Sequence, residues 1–437
     1  MKTLLQVTIF LGCLILWLPS KSEIQSTEKV ALPSPLTLEF VLDLPARLSP
    51  SFMQQQAALL QAQATRAQLR ANDGIELNLE GRIGQREFSD QQQDYHRAAI
   101  HLGVPLFDFG RTAQANQAWL LSEQAQQSRL ELVEKQFRLL LMRAFFNVLL
   151  ADVQYRVDNE AMAIAYVTLD KVREDHALGR ASDFALLENE AAYQKSFVKR
   201  QAALVDLRRS RMLLANAMGY PDAVISQLAV PNLKPWSNDL AQVEDYIQQA
   251  LNHNPELQAA KQQLNASDYL VKSAQAGTRP VVRADAWVGQ LSSYPELREG
   301  SWHAELSLVM PLYDSGLTKS KVDNQRAQRQ QALAELMATE QRVREQVANL
   351  YFQLAMLKVE QDDVKATQAF ADINLDYKRG LYENELQSDL GDAMVRISQA
   401  HYDTLAFEFK QALLWAQMQV LVGENNQAPK QESGVTP

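Results

Sequence analysis

The chain has 437 residues and a formal net charge of −9 at pH 7, enough length for two or three domains and the wrong sign for a nucleic-acid partner, with no basic run to offset it. Its six histidines (His96, His101, His176, His253, His303, His401) are scattered without metal-ligand spacing. No Gly-rich phosphate loop, nucleophile elbow or zinc helix motif occurs, so neither an enzyme nor a bound cofactor or metal is expected.

The first element is an address. Lys2 precedes the apolar run 4–18, and the small residues Ser20 and Ser22 suit cleavage after Ser22. That pattern predicts a secretory signal peptide over 1–22 rather than a retained membrane helix. The only cysteine, Cys13, lies inside it, behind Phe10-Leu11-Gly12, which is a poor lipoprotein box, so lipidation is not expected. After residue 22 no run of 18 apolar residues follows, and no transmembrane helix is expected.

The rest is a duplication with an offset of about 205 residues. Leu48-Ser49-Pro50 matches His253-Asn254-Pro255, Pro105-Leu106-Phe107-Asp108-Phe109-Gly110 matches Pro311-Leu312-Tyr313-Asp314-Ser315-Gly316, and Gly179 and Gly219 match Gly380 and Gly423. The predicted repeats are 23–235 and 236–424. The polar stretches 23–35 and 425–437 lack periodicity and are expected to be poorly ordered, the latter as a flexible tail.

Each repeat opens with a helix of about 20 residues, at 50–72 and 255–276, with proline at its start, where the missing N–H costs nothing. Two strands follow, about 75–88 and 95–107, then 280–291 and 302–313. Ile75, Leu77, Leu79 and Ile83 alternate with Glu76 and Asn78; Ala98, Ile100, Leu102, Val104 and Leu106 alternate with Arg97 and His101. In the second repeat Val282, Ala284, Ala286 and Val288 oppose Arg283 and Asp285, while Trp302, Ala304, Leu306, Leu308, Met310 and Leu312 oppose His303 and Glu305. Period two with one oily and one polar face marks strands between two different environments. The linkers 89–94 and 292–300 read as turns.

A very long helix follows, free of Gly and Pro over 111–178 and 317–379, about 100 Å at 1.5 Å per residue. Leu130, Val133, Phe137 and Leu140, and Val343, Val347, Leu350, Leu354 and Leu357, form coiled-coil seams. Gly179 and Gly380 are expected to permit a reversal. Return helices then run to Gly219 and Gly423, which complete helical hairpins at about 110–219 and 316–423. Asp108 and Asp314 stand where a carboxylate caps the long helices.

Four amphipathic strands have the length to cross an outer membrane, yet cannot close a barrel, and lipid does not tolerate open edges. Copies must complete it. Two copies give eight strands, whose interior side chains fill, and three give twelve, which leave a conduit. The other reading of the residues is a secreted coiled-coil scaffold, which accounts for the helices but not for two symmetric amphipathic hairpins.

The order of short helix, hairpin, P-L-[FY]-D-x-G, long helix, turn and return helix resembles the TolC family of outer-membrane efflux proteins over about 36–423, most closely at the two P-L-[FY]-D-x-G segments and Asn254-Pro255-Glu256-Leu257. The resemblance implies a mainly α fold with a small transmembrane β part. Duplicated helical hairpins would build an α-barrel, and four strands per chain a 12-stranded barrel in a homotrimer. It implies a passive exit duct in the outer membrane, reaching into the periplasm to meet an adaptor protein and an inner-membrane pump of RND or ABC type. Efflux and type I protein secretion both fit.

The resemblance also implies site residues. Asp389-Leu390-Gly391-Asp392-Ala393 resembles the family's D-x-x-D-A stretch, whose carboxylates ring the pore, so Asp389 and Asp392 are the expected constriction. Asp389 lies nine residues after Gly380 where the family usually has six, and the second return is 43 residues against 40 from glycine to glycine. A three-residue insertion at the second tip would explain both; without it only Asp389 falls on a ring position. Gly179, Arg180, Ala181, Ser182, Tyr377 and Gly380 are the expected tip and adaptor-docking residues. The bland alternatives are capping for Asp108 and Asp314 and a solvated helix face for Asp389 and Asp392.

Overall fold

A computed structural model describes residues 32–88, 91–233, 240–292, 299–384 and 390–423, with backbone alone at 84–88, 91–97, 290–292 and 299–300. The expected signal peptide and C-terminal tail lie outside these. In chain order the elements are α1 (Leu38–Leu42), α2 (Pro50–Asn72), β1 (Glu76–Phe88), β2 (Gln91–Phe107), α3 (Arg111–Ala177), α4 (Asp183–Ala217), α5 (Val243–His253), α6 (Pro255–Gln275), β3 (Val281–Ser292), β4 (Glu299–Val309), α7 (Leu317–Glu383) and α8 (Leu390–Val422).

The four strands form one antiparallel sheet in the order β1-β2-β3-β4. The hairpins of the two repeats are neighbours although the chain between them, from Phe107 to Val281, runs through four helices, α3 to α6. β2 starts at Gln91, earlier than the polar run 89–94 suggests, because Gln91 to Asp94 pair with Gln85 to Phe88 and the ladder outweighs their turn-like composition. β4 stops at Val309, short of the expected 313, since Pro311 has no N–H to donate. Pro105, its counterpart, stays within β2 because the register shifts between Pro105 and Phe107.

The two long helices are of equal length, 67 residues each. Helix contacts place the lower halves side by side in the order α4-α3-α8-α7, and nearer the sheet in the order α2-α3-α6-α7. Glycines let the chain exchange between tiers. Gly219, at φ +80°, lies where a Cβ would meet Leu48 at 3.0 Å, and Gly423, at φ +85°, where one would meet the His253 carbonyl oxygen at 2.5 Å. So the end of α4 abuts the approach to α2, and the end of α8 the approach to α6. Asn254 stitches the second junction: its Nδ2 donates to the Leu421 carbonyl at 3.0 Å and its Oδ1 accepts from Leu257 N–H at 3.1 Å.

One hydrophobic core lies at this waist. Phe145, Phe146 and Phe409 are fully buried, with Phe146 and Phe409 stacked at 4.4 Å. Each such ring stabilises the fold by roughly 1.5–3 kcal/mol relative to exposure. Leu36, Leu38 and Val41 also join this core. Leu36 is pinned by a parallel bridge to Leu228, so the segment after Gly219 is docked rather than a free connector. The expected seam on α3 holds at Phe137 and then shifts: Leu141 and Phe145 turn inward and Leu140 is exposed, as 3.6 residues per turn requires.

Candidate functional site

The sheet has two chemically opposite faces. Leu77, Leu102 and Ala286 share one ladder row, and Leu79, Ile100, Val288 and Trp302 the next. Leu77, Leu79, Ile83, Ile100, Val288, Trp302, Leu306 and Leu308 are all exposed. An apolar face of this extent, left open on one chain, calls for lipid or a partner.

The other face carries a polar network. His101 Nε2 and Asp285 Oδ1 are 2.9 Å apart, Arg283 Nε donates to the same oxygen at 3.1 Å, and Arg283 reaches Glu76 Oε2 at 3.0 Å. Glu76 Oε1 accepts from Asn78 at 2.8 Å, and Trp287 Nε1 donates to Glu80 at 3.4 Å. The His101, Trp287 and His303 rings lie in one row, with centroid spacings of 4.6 and 5.2 Å. Alternation assigns Glu76, Asn78, His101, Arg283, Asp285, His303 and Glu305 to this face; Glu80 and Trp287 continue the same alternation two residues after Asn78 and Asp285. Gly103 makes the room: a Cβ there would meet Arg283 at 2.5 Å and Asp285 at 2.9 Å. A lone glycine on the polar face of β2 was the signal available in the sequence. Arg97 has no described side chain. Among the described residues, no group of His, Cys, Asp and Glu is placed to hold a metal, and no helix is long and apolar enough to cross a membrane.

Below the sheet, both long helices start on the same device. Asp108 accepts from Gly110 N–H at 3.0 Å and Thr112 N–H at 2.6 Å; Asp314 accepts from Gly316 at 3.1 Å and Thr318 at 2.7 Å. Phe109 and Ser315 take φ values of +55° and +54° to allow the turn. Partial burial alone would raise the Asp108 carboxyl, but hydrogen bonds from Thr112 and Gly110 outweigh it and hold it below its ordinary range. Thr318 does the same for Asp314. These contacts make both aspartates helix caps.

At the far end the first hairpin turns at Gly179, φ +72°. Its N–H donates to His176 O at 2.9 Å and Arg180 N–H donates to Asp175 O at 2.7 Å, a left-handed cap closing α3. Ser182 Oγ then accepts from Ala185 N–H at 3.2 Å and starts α4. His176 and Asp183, 2.7 Å apart, brace the turn. Gly179, Arg180, Ala181 and Ser182 thus form one compact tip, with Arg180 exposed.

The second hairpin does not reverse at Gly380. The helix passes through that residue and ends at Glu383, capped by Asn384, whose side chain donates to the Gly380 carbonyl at 2.7 Å. Glycine permits a break but does not compel one. α7 is as long as α3 and runs past Gly380, and the stretch between Asn384 and Leu390, where the expected insertion and Asp389 fall, lies outside the described residues. Tyr377 is 62% exposed in the last turns of α7.

Asp389 lies outside the described residues. Asp392 is exposed in the first turn of α8. Its neighbour Gly391 packs so closely on α3 that a Cβ would meet Ile164 at 2.7 Å. Ile164 precedes the end of α3 by thirteen residues, about 20 Å of helix. Asp392 therefore sits back from the Gly179 tip rather than level with it.

Residues 246–424 match the family described as outer membrane efflux protein. Among curated relatives, outer membrane efflux protein BepC of Brucella suis is 23% identical over 267 residues, 58% of this chain and 57% of that protein. The toluene efflux pump outer membrane protein TtgC of Pseudomonas putida is 24% identical over 297 residues, 64% of this chain and 58% of that protein. The matches thus span less than three-fifths of these relatives' own length. Among solved structures, a membrane protein of Pseudomonas aeruginosa superposes with a TM-score of 0.74 at 16% identity, covering 90% of this chain and 91% of that one. The outer membrane protein VceC of Vibrio cholerae gives 0.71 at 16%, covering 89% and 97%. At such identities these likenesses fix the fold.

Proposed function

We propose that this member of the outer membrane efflux protein family is one subunit of a homotrimeric duct: a passive exit channel spanning the outer membrane and reaching into the periplasm. The observation that carries the reading is the sheet. Four antiparallel strands with two open edges and an exposed apolar face cannot stand alone in lipid. Three copies supply twelve strands, with the His101–Asp285–Arg283 network facing an aqueous lumen and Leu79, Ile100 and Trp302 facing lipid. A leader cleaved near Ser22 would deliver the chain.

The 67-residue helices have the length to cross a periplasm. Their far ends, the Gly179–Ser182 turn on one hairpin and the last turns of α7 from Tyr377 through Gly380 on the other, would meet a periplasmic adaptor and, beyond it, an inner-membrane pump of RND or ABC type. Similar proteins named for antibiotic and toluene efflux favour small-molecule export over protein secretion. Three copies of Asp389 and Asp392 would ring the narrow end and select by charge.

The test is reconstitution of the full chain in a planar bilayer, beside heat-modifiable migration on a gel. A trimer that conducts supports the duct, and a monomer without conductance removes it. Replacing Asp389→Ala with Asp392→Ala should raise conductance or weaken cation block; unchanged conductance and selectivity would discard the ring.

A further inference from the structure

The foot of the sheet carries a hollow that neither the duct nor its tips account for. It lies where α3, α6 and α7 come together under the strands, with a volume of about 720 Å³, within the roughly 300–1,000 Å³ of small-molecule sites. Each helix gives it one stripe at helical spacing: Arg111 and Ala115 from α3, Leu270 and Ala274 from α6, Leu317 and Lys321 from α7. Small residues open it. Gly277, at the end of α6, lies against α7, where a Cβ would meet Thr318 at 3.2 Å, and Ala115, Ala274 and Ser320 are too short to fill the space beside it.

In a chain of net charge −9, the lining holds two cations, Arg111 and Lys321, and no carboxylate. Both are exposed, and neither side chain has a hydrogen bond or ion pair among the described residues. Asp108 and Asp314, which bond the lining residues Thr112 and Thr318, spend their oxygens on backbone N–H groups. The helix starts are thus already capped, and the free donors are the guanidinium and the ammonium. Leu69, Leu270 and Leu317 supply an apolar wall.

Directly above, the ends of the strands and the turn before α7 expose Leu106, Phe107, Leu308, Leu312 and Tyr313. An apolar band, then tyrosine, then cations on long side chains is the order in which membrane proteins meet lipid headgroups. The opposite side of the helical layer differs. Lys272 is two positions from both Leu270 and Ala274, and Lys319 two from both Leu317 and Lys321, about 160° around their helices. These lysines stand at the same height but outside the hollow. One turn along the same two stripes are Asp268 and Asp323, so that side is of mixed charge.

We infer that the hollow seats the headgroup of an acidic phospholipid, with its phosphate between Arg111 and Lys321 and the first acyl carbons on Leu69, Leu270 and Leu317. The inference rests on the duct reading, which puts the foot of the sheet at the periplasmic surface of the outer membrane.

Native mass spectrometry of the full chain in neutral detergent, titrated with phosphatidylglycerol or phosphatidylcholine, tests it. Phosphatidylglycerol should be retained, up to one molecule per chain, and phosphatidylcholine released. Arg111→Gln with Lys321→Gln should weaken retention roughly 25-fold, about fivefold for each cation. The charge-keeping exchange, Arg111→Lys with Lys321→Arg, should preserve it. Lys272→Gln with Lys319→Gln removes the same charge at the same height and should leave retention unchanged. Equal retention of the two lipids, no change on neutralising Arg111 and Lys321, or a loss carried instead by Lys272 and Lys319 overturns the site. Displacement of the lipid by excess glycerol phosphate would mean that the hollow takes a free phosphate, and the lipid assignment falls. No retention in a preparation that conducts in a planar bilayer overturns the headgroup site and leaves the duct standing. Selective retention by a chain that neither trimerises nor conducts upholds the site and counts against the duct.

Discussion

Gly289 lies directly against the backbone of Ala98, so that a Cβ on it would come within 2.3 Å of the Ala98 carbonyl oxygen. Its φ of +149° and the register shift between Val288 and Leu291 mark an irregularity in β3. This is where the hairpins of the two repeats are joined. The obstacle is backbone, which cannot swing aside as a side chain can. Gly289→Ala should therefore reduce the yield of assembled, heat-resistant oligomer severely. Gly81→Ala, with nothing within 4 Å of the added carbon, should leave it unchanged. Equal yields from the two variants would contradict the close approach.

Gly179 in its turn and Gly380 within α7 should respond with opposite signs. Gly179 holds φ +72°, which costs an alanine roughly 1–2 kcal/mol, so Gly179→Ala should lower the melting temperature. Gly380 is helical with open space around it, and Gly380→Ala should stabilise by roughly 0.5–1 kcal/mol. Circular dichroism melts of both variants would decide, and a stabilised Gly179→Ala would refute the turn geometry.

Much of this architecture is legible in the residues. Leu77, Leu79, Ile100 and Leu102 announce the strands because a strand's side chains alternate and one face meets oil. Pro50 and Pro255 announce helix starts because a first turn needs no N–H from them. Gly380 misleads because a glycine's freedom is compatible with helix as well as turn, and the stop is set by Asn384. Alternation puts Glu80 on the face of Glu76, Gly103 on that of His101 and Trp287 on that of Asp285, but the meeting of these three sets is invisible in one dimension, since only ladder register brings β1, β2 and β3 into line. The setback of Asp392 is likewise a fact of packing, fixed by Gly391 on Ile164.

The Asp108 cap makes stability depend on acid. Its carboxyl titrates lower when folded than when unfolded, where a free aspartate sits near 3.9. Its contribution is therefore complete above about pH 4 to 5 and is lost as pH falls through the depressed folded value. Asp108→Ala should cost roughly 0.5–2 kcal/mol at pH 7 and progressively less at pH 3 and below. A cost that is the same at both pH values would exclude the carboxylate cap.

Lys135 is buried at the waist, where its Nζ donates to the Gly423 carbonyl at 3.1 Å and lies 2.9 Å from Glu131. It caps the C-terminus of α8 with a positive charge, where the helix dipole favours one. Lys135→Met keeps the bulk and removes the donor. It should destabilise the fold by roughly 1.5–3 kcal/mol, the range for a hydrogen bond to a charged group. A denaturant midpoint equal to wild type would show that water replaces the ammonium.

The difference between the two tips has a consequence for stoichiometry. If three chains close into the proposed ring, it would present six helical hairpins that alternate in kind: one ends in the tight Gly179 turn with Arg180 exposed, the next runs through Gly380 to an asparagine cap. A partner that grips hairpin shape alone would count six equivalent seats. One that reads the guanidinium of Arg180 would count three, and titration of the ring with that partner would saturate at half the number.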